Sequence, residues 1–222
     1  VTDIAVYVEG GGKTAGQKAE LRQGFDALFQ RERSSAREKR GSLRFVCCGG
    51  RQQAYDAFVN EFSVNSQAIC ALLVDSETPV PPVPADRAQD AVLRRKHLIQ
   101  TEGTSGRGQG DGWQFTGVSP DRIHLMVQCM EAWIVADPEA LEAFYRQGFR
   151  KNRLPRRTNL EDEPKSDTIG KLEAATEGSQ KGEYAKIRHA SQLLQKISRE
   201  KICLKCPRFS IFCDWLTEQI ES

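Results

Sequence analysis

Glu9, Asp75 and Glu77 stand where short apolar runs stop. Glu9 closes Ile4 to Val8, Asp75 closes Ala68 to Val74, and Glu77 lies two residues beyond Asp75. In extended chain Asp75 and Glu77 project to the same side, roughly 6 to 7 Å apart, so the pair can share a cation. Carboxylates are hard oxygen ligands, and such a set suits Mg2+ or Mn2+, which polarise a phosphate and lower the pKa of an attacking water. Taken singly, each acid reads more simply as a solvated or helix-capping residue at a strand end. Together at one sheet edge they repel one another in a partly dry site, and a bound cation best accounts for that cost. Glu9 doubles as a candidate general acid or base.

Around these acids lie groups suited to phosphate. Gly10, Gly11 and Gly12 let the backbone approach an anion closely, and Lys13 and Thr14 add donors. The segment is not a Walker loop, because that pattern needs glycine where Tyr7 stands. Gly49, Gly50 and Arg51 repeat the device after a second apolar run, where Arg51 contacts phosphate or simply starts a helix. Further on, KGEYAKIRH gathers Lys181, Tyr184, Lys186, Arg188 and His189, with Lys186 and His189 spaced to share a helix face. Lys186 is the candidate catalytic cation, offsetting charge on a phosphoryl centre, and Lys181 and Arg188 are candidate phosphate contacts. A solvated helix surface is the competing reading of the same run.

Positioning these residues falls to alternating elements. Ile4 to Val8, Leu43 to Cys48 and Ala68 to Val74 read as buried strands, separated by helical stretches at Ala15 to Lys39 and Arg51 to Phe62. That order predicts right-handed βαβ crossovers and a mostly parallel sheet, with ligands just beyond the carboxyl ends of the strands. Four prolines between Pro79 and Pro84 predict an extended connector, followed by a helix from Asp86 to about Gln100. Thr101 to Gly112 carries five glycines and reads as a mobile loop. Arg122 to Gln128 reads as another strand and Cys129 to Ala136 as its helix; Asp137 and Pro138 then open a helix running to Tyr145. The expected organisation is an α/β core over 1–145, a basic linker or surface loop over 146–165 and a helical extension over 166–222. Arg146 to Arg157 holds six Arg or Lys residues, a candidate track for nucleic-acid phosphates.

The chain has 222 residues, 39% hydrophobic and 28% charged, with a formal charge of +2. That balance excludes a disordered chain and is too weak by itself to define a nucleic-acid partner. No run approaches the ~20 apolar residues of a membrane span, and no secretory leader is evident, so the cytoplasm is the expected location. Seven cysteines, several inside apolar segments, read as reduced buried thiols. Cys203 and Cys206 lack the partners of a zinc site, and His97 and His124 show no evident partner.

A family resemblance gathers these features. The segments YVEGGGKT, CCGGR, VDSE, MEAW and KGEYAKIRH are similar to the family called domain of unknown function 4276, over most of the chain. An apolar strand with Glu-Gly, then one ending Asp-x-Glu, resembles the Toprim fold of topoisomerases, primases and overcoming-lysogenization-defect nucleases. Met126 to Asp137, MVQCMEAWIVAD, resembles the Phe-Glu-x-Trp helix of the RloB-like branch. Toprim proteins usually carry Asp-x-Asp; here the longer Glu77 replaces the second aspartate. The resemblance implies a Rossmann-like Toprim fold with a helical C-terminal extension, and a metal nuclease acting on DNA or RNA beside an ABC- or AAA-type ATPase partner in anti-phage defence. It also implies Glu131 as a fourth acid near the metals. The alternative class is a non-catalytic module of the same fold that senses nucleotide, nucleic acid or the ATPase. A hydrolase of small phosphoesters would use the same acids.

Overall fold

Period-two burial in the strands divides the protein into two cores. In β1 (Asp3–Val8), Ile4, Val6 and Val8 pack to one face of the sheet, whereas Ala5 and Tyr7 pack to the other. The computed structural model describes residues 2–99 and 111–222. β1 pairs with β2 (Ser42–Cys47) and with β3 (Ile69–Asp75), and β3 pairs with β4 (Ile123–Met126). All three pairings are parallel, in the order β2-β1-β3-β4. Ile4 lies opposite both Leu43 and Ile69, and Leu73 opposite His124. Burial on both faces is what a parallel sheet requires, and it explains the near-continuous apolar runs of β1 and β3. The architecture is the expected Rossmann-like α/β one. The expected loop over Thr101 to Gly112 falls, save for its last two residues, outside the described residues.

Ten α-helices cover the sheet among the described residues. On one face lie α1 (Ala15–Leu28) and α2 (Gln30–Glu38); on the other lie α3 (Arg51–Val64) and α4 (Arg87–Ile99). A single helix over Ala15 to Lys39 is expected from periodicity, but the chain breaks at Phe29 (φ −104°, ψ 27°). That bend sets the fully buried Phe29 ring 5.0 Å from Phe45, 5.6 Å from Phe209 and 5.4 Å from Phe212. Burying aromatic rings of this size stabilises by about 1.5–3 kcal/mol each, enough to override local helix continuity.

After β4 come α5 (Glu131–Val135) and α6 (Pro138–Tyr145), the latter capped by the Asp137 side chain, which accepts from the Ala140 N–H. The C-terminal helices are α7 (Lys165–Thr176), α8 (Lys186–Leu194), α9 (Arg199–Lys205) and α10 (Pro207–Glu221). Trp133, Leu193, Phe209 and Leu216 share one core with β1 and β2. The basic segment 146–165 is anchored to the rest of the chain. Its cations Arg150, Lys151, Arg153 and Arg156 are exposed, but Leu154, Leu160, Glu161 and Glu163 are buried, and the Arg150 N–H donates to the Ala175 carbonyl. Among the described residues no helix is long and apolar enough to cross a membrane.

A fully buried charge network locks these layers. Asp90 on α4 accepts from Arg94 (2.8 Å) and from Arg208 on α10 (3.0 Å), and Arg208 also pairs with Glu161 at 3.1 Å. Arg94 continues to the Ile123 carbonyl and to His124 Nδ1, and Arg208 to the Pro81 carbonyl. His124 therefore has a partner that its sequence neighbours do not reveal.

Candidate functional site

Parallel strands deliver Glu9 and Asp75 side by side at the carboxyl edge of the sheet. The Glu9 N–H donates to the Leu73 carbonyl, and its Oε2 accepts from the Asp75 N–H at 3.2 Å. Glu9, Asp75 and Glu77 each offer one oxygen, and the three oxygens lie within 4.8 Å of one another. Asp75 is nearly inaccessible; its Oδ1 accepts from the Met130 N–H at 2.9 Å. Burial first, and then the Asp75 charge, push the Glu9 carboxyl pKa up, against the opposing pull of Arg51.

The turn that aims Glu77 is strained. Glu77 (φ 65°) and Gln128 (φ 56°) are both left-handed without being glycine, a conformation costing about 1–3 kcal/mol each. Paired hydrogen bonds impose it. The Glu77 N–H donates to the Gln128 carbonyl, and Ser76 Oγ accepts from the Gln128 N–H while donating to the Thr78 carbonyl. His97 braces the Ser76 carbonyl at 2.8 Å, so this histidine too has a partner.

Three cations enclose the acids. Arg51, the first residue of α3, donates to Glu9 Oε2 at 3.1 Å, to the Asp75 carbonyl, and through its fork to both oxygens of Asp111 at 2.8 and 2.7 Å. Its guanidinium lies 5.1 Å from the centre of the Trp113 ring, a stacking that holds the fork in place. Lys165 Nζ donates to Glu77 at 2.7 Å and to Asp75 Oδ2 at 3.3 Å. Lys186 Nζ lies 3.6 Å from Asp75 Oδ2 and 3.4 Å from Glu131 Oε1. Burial pulls the pKa values of Lys165 and Lys186 down, but the carboxylates outweigh it and both are raised. Among the described residues, five carboxylates (Glu9, Asp75, Glu77, Asp111, Glu131) face three cations, a formal excess of two negative charges.

Glu131 stands behind Lys186 rather than in the set of three. Its Oε1 accepts from the buried Tyr184 hydroxyl at 3.0 Å, and its buried Oε2 has no partner among the described residues. Beside Glu9, Gly10, Gly11, Gly12, Gly49 and Lys186 line a cavity of about 220 Å3. Gly10 and Gly49 exchange both backbone hydrogen bonds, zipping the two glycine turns together. Gly10 (φ 121°) and Gly11 (φ 95°) admit no side chain there: a Cβ would meet Leu21 or the Lys18 backbone at 2.9 Å. Of the donors expected from Lys13 and Thr14, the two backbone N–H groups are already used, since Gln17 Oε1 accepts from both in a capping box. The Gly11 and Gly12 N–H groups have no partner among the described residues. Lys181 and Arg188 do not line this cavity. Lys181 sits 4.4 Å from the Phe144 ring centre, in a separate groove with Arg146 and Lys196, and Arg188 is exposed.

Sequence reasoning missed Lys165 and Asp111. Lys165 follows a proline in a segment read as linker or loop, and Asp111 lies one residue before the end of the glycine-rich stretch, so neither carries a local signal. Cys206 and Cys213 pack in the core.

A Rossmann-like α/β sheet with a carboxylate centre at its carboxyl edge defines the class of protein. Residues 8–217 match the family model described as Domain of unknown function (DUF4276), and the chain belongs to that family. No curated protein and no solved structure matches the chain.

Proposed function

We propose that this chain is a divalent-metal-dependent nuclease that hydrolyses phosphodiester bonds of DNA or RNA. The observation that carries the reading is the convergence of Glu9, Asp75 and Glu77, one oxygen of each within 4.8 Å of the others, in a centre where acids outnumber cations among the described residues. That donor set fits Mg2+ or Mn2+, hard ions that share carboxylate oxygens and keep open positions for water and phosphate. When bound, such an ion polarises the phosphate and lowers the pKa of a coordinated water.

The remaining work falls to the chain's own groups. Glu9, beside the cavity, is the group placed to take or return a proton. Lys186, held between Asp75 and Glu131, offsets charge on the phosphoryl oxygens, and the Gly11 and Gly12 N–H groups are donors for a phosphate seated in the cavity. Arg51 keeps Glu9 and Asp111 in place rather than reaching freely for substrate. The resemblance to Toprim-like and RloB-like proteins supports the same reading. It extends the reading to an effector in anti-phage defence, cytoplasmic and working with an ATPase partner.

The test is a substrate panel of single- and double-stranded DNA and RNA in Mn2+, with the full chain alone and with its ATPase. Metal-dependent cleavage that ceases on chelation is expected. Absence of cleavage in every combination, together with absence of Mn2+ binding, removes the reading.

A further inference from the structure

Lys165 holds the position that matters most to an incoming ion. Its ammonium lies 2.7 Å from Glu77 and 3.3 Å from Asp75, two of the three carboxylates that converge. An ion held by the same Glu77 oxygen at about 2.0–2.1 Å would lie within about 5 Å of Nζ. Two cations that close repel strongly, so one must leave. The backbone of Lys165 is fixed, because its N–H donates to Gln128 Oε1 at 3.0 Å. Its side chain is partly exposed, at 27%, so solvent borders one side of it. A lysine as first residue of α7 also opposes the helix dipole, so its inward pose depends on the acids. Lys186 differs, standing at 3.4 and 3.6 Å from Glu131 and Asp75 without touching Glu77.

We propose that the Lys165 ammonium and the divalent ion are alternative occupants of the Asp75–Glu77 pair, and that metal loading releases Lys165 toward the phosphate side of the site. The inference rests on the metal reading above and assigns Lys165 as a positioning residue that tunes ion affinity. In the metal-free protein it neutralises the acids, and in the loaded protein it is a mobile cation beside the substrate.

Mn2+ binding by calorimetry on the full chain tests it. Lys165→Gln should bind Mn2+ about five- to tenfold tighter than the wild type, because a competing charge is gone. Lys165→Arg, which keeps the charge, should stay within about twofold. A residue that merely supports the fold would weaken binding on substitution. A second measurement needs no variant: acylation of wild-type lysines read by mass spectrometry. Labelling of Lys165 should rise several-fold on Mn2+ loading, while Lys151, paired with Glu139 at 2.8 Å, stays constant. If the wild type binds Mn2+ but Lys165→Gln binds no tighter, or Lys165 labelling does not rise, the competition is overturned and the metal reading stands. If no form binds Mn2+, both fall.

Discussion

Two charge clusters sit on opposite sides of the molecule's logic. Around Asp90, Arg94, Arg208 and Glu161, two acids meet two arginines, every side chain is at most 5% exposed, and the hydrogen bonds are short and closed. Around Asp75, among the described residues, the acids outnumber the cations, Glu77 is 44% exposed, two residues take left-handed backbone, and Glu131 Oε2 lacks a partner. The balanced cluster is a clamp joining α4, β4 and α10. The unbalanced one carries repulsion and strain that folding alone does not require, and such features collect at functional sites. Burial of charge alone therefore does not single out a candidate site; under the proposed reading the net charge of the cluster and its access to solvent do.

The same substitution made in each cluster separates them most sharply. Asp90→Asn leaves two buried guanidiniums with one carboxylate, Glu161, and should destabilise the protein by about 3–5 kcal/mol in denaturant melts. Asp75→Asn should lower metal-dependent cleavage by at least about a thousandfold, ~4 kcal/mol of barrier, while the melt shifts by less than about 1 kcal/mol. If Asp75→Asn unfolds the chain, or Asp90→Asn leaves stability untouched, the contrast is broken.

A smaller effect comes from pH. Burial raises the Glu161 pKa to about 6 despite Arg208. A raised folded pKa means that the native state holds its proton longer, so this contribution to stability is full below about pH 4.5 and lost as pH rises through about 6. The loss is about 2 kcal/mol, and Glu161→Gln should flatten the stability profile over that window.

The smallest expected effect concerns cations outside both clusters. Arg146, Lys181 and Lys196 line one groove that holds no acid among the described residues, whereas Lys151 spends its charge on Glu139 and Glu142. Replacing the three groove residues with glutamine should flatten the salt dependence of nucleic-acid binding by up to about 0.9 per lost phosphate contact, and Lys151→Gln should leave it unchanged. Equal slopes in both variants would return attention to the rest of Arg146 to Arg157.

What could be read in advance follows from locality. Glu9, Asp75 and Glu77 were legible because strand ends in an alternating β/α sequence fall on one sheet edge, and Arg51 because it opens the helix after β2. Lys165 was not, because it reaches Asp75 across 90 residues. It is held there by the Gln128 side chain, whose amide also donates to the Glu161 carbonyl. The break at Phe29 was equally hidden: the rings that demand it come from α10, far along the chain. Lys181, adjacent in sequence to the site's Tyr184 and Lys186, lies outside the cavity because the turn before α8 directs it to Phe144.

The separation of Lys165 and Lys186 from the acids also sets an order in time. A ribosome delivers Glu9, Asp75 and Glu77 first, and at about 5–20 residues per second the lysines follow several seconds later. For that interval the nascent sheet edge holds its carboxylates without the ammonium groups that later neutralise them. Beyond Arg51, already made by then, the counter-charge comes from the surrounding solution, so Mg2+ concentration becomes a variable in how efficiently this chain reaches its native state.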